Sequence, residues 1–146
     1  MSENPLVGYW QLISCDALRH HGNRVPAYGK NPCGRLYYDE MGNMSVHIMR
    51  SGRRANGGGV GLSAGDEGAK TGYDGCQAYF ATYSVDTENR IIRHKVLGSL
   101  LPDWTGSTQV RYYELRDPGR LLLRTAPIGS PAEDQTVFEL LWERIR

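Results

Sequence analysis

Short apolar runs rich in Tyr, Val, Ile and Leu recur along this chain of 146 residues, and clusters of Gly, Asn, Asp and Pro separate them. That punctuation is the signature of an all-β meander, because β-branched and aromatic residues suit a pleated, half-buried surface and the intervening residues suit turns. The strand Ile91 to Gly98 alternates most clearly. Arg93 and Lys95 must seek water, so Ile92, His94 and Val96 take the opposite, core-facing side.

Extended to the whole chain, the same reading predicts eight strands. The first runs from about Leu6 to Ala17. Gly34 to Asp39 and Met44 to Arg50 form a hairpin across Glu40-Met41-Gly42-Asn43. Ser51 to Gly72 is crowded with glycine and small polar residues. It cannot bury enough apolar surface to offset its ordering entropy, and a long mobile Gly-rich loop is expected there. Tyr73 to Ala78 is expected as a short helical turn. Tyr79 to Asp86 follows as a strand with Tyr79, Ala81, Tyr83 and Val85 on one face.

Beyond Ile91 to Gly98 and a loop from Ser99 to Thr108, Gln109 to Leu115 places Gln109, Arg111, Tyr113 and Leu115 on one face and Val110, Tyr112 and Glu114 on the other. Periodicity alone does not say which face is inside. Arg116-Asp117-Pro118-Gly119 is turn chemistry, then Leu121 to Thr125 and Val137 to Arg144 complete the set. The last strand turns Phe138, Leu140, Trp142 and Arg144 inward. Eight antiparallel strands joined in order leave exposed edges unless the sheet closes, and a closed barrel of that size is just wide enough for one small ligand.

The length suits one domain over residues 1–146, able to bury roughly 70% of the surface of its unfolded chain. With 17 basic and 16 acidic residues, no general electrostatic pull toward nucleic acid or an anionic membrane is expected. Cys15, Cys33 and Cys76 are odd in number and lack a CxxC spacing, so they read as reduced thiols. No basic leader with an apolar stretch opens the chain and no apolar run approaches membrane-spanning length, which gives a cytoplasmic expectation. A homodimer stays open.

The ordered elements Leu6-Val7-Gly8-Tyr9-Trp10, Gly34 to Asp39, Met44 to Arg50, His94 to Leu100 running into Pro102-Asp103-Trp104, Gln109-Val110-Arg111 and Leu141-Trp142-Glu143-Arg144 resemble the bacterial and fungal lipocalin-like domain proteins, part of the wider calycin group of ligand-binding barrels. The resemblance spans nearly the whole chain. It implies an eight-stranded antiparallel barrel with a small-molecule cavity and no particular activity. It also implies that Trp10 enters the barrel base with Arg144 packing over its face, and it turns Arg111 inward with Tyr113 and Leu115.

His94, Gln109 and Arg111 are the polar residues of interest, since an unpaired polar group inside the barrel costs several kcal/mol. On the functional reading Arg111 offers a fork of donors to a carboxylate, enolate or carbonyl oxygen, and His94 exchanges a proton near neutral pH. On the other, both belong to an internal hydrogen-bond network. Tyr38, Tyr79, Tyr83 and Tyr113 either line a cavity suited to an aromatic guest or pack an ordinary core, and Met44, Ile48 and Met49 share that ambiguity. Trp104 caps a barrel end, beside Asp103. Arg50, Arg53 and Arg54 either steer an anion or are simply solvated.

No histidine spacing forms a metal site, the run Gly57 to Gly61 lacks the ending of a phosphate loop, and no nucleophile elbow is present, so neither metal nor cofactor is expected. Three functions remain. One is a carrier or sensor of a small, largely apolar molecule with one polar oxygen. Another is a cofactor-free isomerase or cyclase acting on a secondary-metabolite-like intermediate, with His94 and Arg111 as catalytic residues. The third is a structural protein with a filled core.

Overall fold

A computed structural model describes residues 4–19, 22–52, 75–128 and 135–146. The strands are β1 (Gly8–Arg19), β2 (Arg24–Pro26), β3 (Cys33–Tyr38), β4 (Asn43–Met49), β5 (Cys76–Asp86), β6 (Ile91–Ser99), β7 (Thr108–Arg116), β8 (Arg120–Thr125) and β9 (Thr136–Arg144). They lie in the order β2-β1-β3-β4-β5-β6-β7-β8-β9, and pairing of β1 with β9 closes the sheet. Every pairing is antiparallel. The eight-stranded wall expected from the alternation is the fold.

The short β2 is an addition to that expectation. It pairs Arg24–Pro26 with Asp16–Leu18 of β1, the edge that β3 leaves free by pairing only with Gly8–Gln11. All three of its residues are exposed, so no burial pattern marks it in the sequence.

Two local features set which side chains face inward. In β1 the register jumps between Leu12 and Ser14, making Ile13 an extra residue, and a bulge of this kind reverses the alternation beyond it. Trp10, Leu12 and then Cys15 are therefore the buried positions. In β7, Arg111 and Tyr113 are buried while Tyr112 is 43% exposed, which resolves the ambiguous strand in favour of the face carrying Arg111.

The helical turn expected across Tyr73 to Ala78 is corrected where it can be seen. Cys76, Gln77 and Ala78 open β5 and pair with Met49, Ile48 and His47 of β4. The free edge of β4 supplies ladder partners, and those outweigh a weak local preference. Tyr73 and Asp74 lie outside the described residues, as do the Gly-rich span from 53 onward, Arg53, Arg54, His20 and His21. A single turn of 3-10 helix occupies Pro102–Trp104 instead.

Leu6, Trp10, Leu36, Tyr38, Ile92, Leu121 and Trp142 are at most 1% exposed and anchor the core. At the barrel base the Arg144 guanidinium lies 4.2 Å from the Trp10 ring centroid and donates to the carbonyls of Val7, at 2.8 Å, and Pro5. The Trp10 indole N–H donates to Leu6 O at 3.0 Å. Gly8 makes this closure sterically feasible: its φ is +134°, and a Cβ there would sit 2.7 Å from Arg144 Nη1.

Candidate functional site

The inward side chains do not fill the barrel. They leave a cavity of about 240 Å³, far more than one water needs and somewhat below the roughly 300–1,000 Å³ of drug-sized ligand sites. Leu36, Val46, Ile48, Leu123 and Leu140 give it aliphatic walls, and Tyr28, Tyr79, Trp104, Phe138 and Trp142 give it aromatic ones. Cys15, Gln77, His94, Arg111 and Thr125 are its polar members.

Of the residues singled out in the sequence, Ile48, Tyr79, His94, Trp104 and Arg111 line this space, and Tyr38, Met44, Tyr83, Gln109 and Tyr113 do not. Each of the second group has a physical reason. Tyr38 and Met44 are opposite one another on β3 and β4 and are buried in the packed core, as is Tyr113. The Tyr83 hydroxyl donates to the Asp39 carbonyl at 2.6 Å and accepts from Asn4 Nδ2 at 3.0 Å, which ties together chain segments outside the cavity. The Gln109 amide turns to Ser107 Oγ at 2.9 Å.

Alternation already marks Phe138, Leu140 and Trp142 as inward. Cys15 is hidden from it by the bulge at Ile13, and Gln77 by the mistaken helical turn. Tyr28 lies outside every strand and carries no such signal.

The polar residues form a connected chain. Tyr38 Oη is 2.7 Å from His94 Nε2, and Tyr79 Oη is 2.7 Å from His94 Nδ1. Arg111 acts on Tyr79 by charge and by hydrogen bonding, which partly offsets the rise in phenol pKa that burial causes. Trp104, edge-on to Tyr79 with ring centroids 5.7 Å apart, also has the Arg111 guanidinium 5.8 Å from its ring.

Burial and the nearby Arg111 charge push the His94 pKa down to about 3. The ring is therefore neutral through the physiological range, which corrects the expectation that it exchanges protons near neutral pH. Desolvation, with a smaller contribution from Asp16, pushes the Cys15 thiol up to about 12, so it stays protonated and unreactive.

Arg111 is only 8% exposed, yet no carboxylate pairs with it among the described residues. Its Nη1 donates to the Val110 carbonyl at 3.0 Å. Also among the described residues, no group of His, Cys, Asp and Glu is arranged to hold a metal.

The profile of the lipocalin-like domain family matches residues 7–145. No curated protein matches the sequence. A solved structure of a redesigned β-barrel is similar with a TM-score of 0.45 and 9% sequence identity, covering 97% of this chain and 93% of that one.

Proposed function

The chain belongs to the lipocalin-like domain family, whose barrels in general bind small molecules, and from that premise we propose that this cavity holds a small, largely apolar molecule whose one polar oxygen is gripped by Arg111. The observation that carries the proposal is a buried guanidinium without a carboxylate partner among the described residues. An uncompensated charge away from water costs several kcal/mol. A ligand oxygen, especially an anionic one, recovers much of that cost through a charge-assisted hydrogen bond.

The remaining walls favour a compact guest with apolar surface, since among the described lining residues aromatic and aliphatic side chains surround the one cation, Arg111. Carriage or sensing is supported over acid-base catalysis by His94, because both ring nitrogens are engaged by tyrosines and the ring stays neutral.

Calorimetric titration with 2-naphthoate, an apolar ring system bearing one carboxylate, tests this reading. Wild-type protein is expected to bind it, and Arg111→Met to weaken binding by about tenfold or more. Equal affinity in the two proteins overturns the role given to Arg111.

A further inference from the structure

We propose that Tyr38 locks His94 in its Nδ1–H form, and that this makes the Tyr79 hydroxyl a fixed donor toward the cavity, so the ligand group beside Arg111 is an oxygen that only accepts. A carboxylate, an enolate or a carbonyl fits that description. The inference rests on the reading of the cavity around Arg111 and deepens it.

A neutral imidazole has one N–H donor and one bare acceptor nitrogen. Burial and the Arg111 charge keep His94 in that neutral state. Its two tyrosine contacts at 2.7 Å then allow two arrangements. In the first, Tyr38 donates to Nε2 and the Nδ1–H donates to the Tyr79 oxygen. In the second, Tyr79 donates to Nδ1 and the Nε2–H donates to Tyr38, whose own proton must find another acceptor.

Tyr38 has nowhere to send that proton. It is 0% exposed, it does not line the cavity, and among the described residues its hydroxyl meets only His94. A buried hydroxyl left without an acceptor disfavours the second arrangement by roughly tenfold or more. The first arrangement leaves no such orphan, because Tyr79 lies at the cavity wall with His94 and Arg111.

The consequence falls on Tyr79. Its oxygen accepts from the Nδ1–H and is also approached by Arg111, so what it has left to offer is its O–H. At this point of the wall the ligand meets the N–H groups of Arg111 and the O–H of Tyr79, all of them donors. An acceptor oxygen is held by both residues, whereas the N–H groups of an amine meet only like-oriented dipoles. Tyr79 is thus a ligand-contacting residue, and His94 and Tyr38 are positioning residues that act through it.

Two-bond proton–nitrogen NMR correlation on wild-type protein labelled with 15N-histidine reads the tautomer directly. The ring that fails to titrate through neutral pH is expected to show a protonated Nδ1 and a bare Nε2. In calorimetry, 2-naphthoate is expected to bind more tightly than 2-naphthylamine, and Tyr79→Phe to weaken naphthoate by about tenfold. Tyr38→Phe, away from the cavity, removes the donor to Nε2 that fixes the ring and should weaken it as well.

An Nε2–H ring in the wild type overturns the inference, and so does naphthoate binding that is unchanged or tighter in Tyr79→Phe while Arg111→Met still weakens it. Naphthoate affinity indifferent to Arg111→Met is a different pattern. It removes the underlying reading of the cavity and the inference with it. The wild-type NMR measurement needs no variant to fold.

Discussion

The hydroxyl of Tyr38, on β3, stands 2.7 Å from Nε2 of His94, on β6, joining residues 56 positions apart inside the barrel. Burial, with the nearby Arg111 charge, keeps the imidazole uncharged in the fold, its pKa pushed down to about 3 from an ordinary 6.5.

Acid sensitivity follows from that difference. The folded pKa lies below the unfolded one, so the unfolded chain binds the proton more readily. The contribution to stability is complete above about 6.5 and is lost progressively as the pH falls toward about 3. Urea denaturation across that window should show uptake of about one more proton on unfolding for wild type than for His94→Gln. Identical pH slopes for the two proteins would contradict a neutral, buried His94.

The base of the barrel gives a second expectation. Arg144→Met removes the cation over the Trp10 ring and the hydrogen bonds to the Val7 and Pro5 carbonyls. A loss of about 1–3 kcal/mol is expected in chemical denaturation, since a cation–π contact and charge-assisted hydrogen bonds contribute together. Stability within experimental error of wild type would show that this closure is decorative.

The thiols should separate by environment. Cys33 is exposed, whereas Cys15 is buried with its pKa pushed up to about 12. A thiol-reactive chromogenic reagent is expected to modify Cys33 in the native protein and to reach Cys15 only after unfolding, because the thiolate is the reacting form. Rapid native modification of Cys15, located by peptide mass spectrometry, would contradict the described packing.

Much of the wall was legible from local chemistry. Alternation in Ile91 to Gly98 put Ile92, His94 and Val96 inside, and all three are buried. The turn residues Glu40 to Asn43 separated β3 from β4 close to the observed ends. These readings succeed because a period of two and a turn preference depend on neighbouring residues alone. The site was legible only in part, since alternation says which way a side chain points and not what stands in front of it. Tyr38 and Tyr79 both point inward, yet one is enclosed by core and the other reaches the cavity.

The sequence by itself determined the strand-and-turn rhythm, the closure that rhythm demands, and the inward place of His94. Only the tertiary structure decided that β2 covers an edge, that the extra residue Ile13 turns Cys15 inward, and that Cys76 to Ala78 join a strand. It alone decided, too, that His94 sits neutral between two tyrosines while Arg111 has no carboxylate partner among the described residues. The reason is physical: ladder partners, desolvation and hydrogen-bond partners are supplied by strands distant in sequence, and their energies depend on distances that exist only once the barrel has closed.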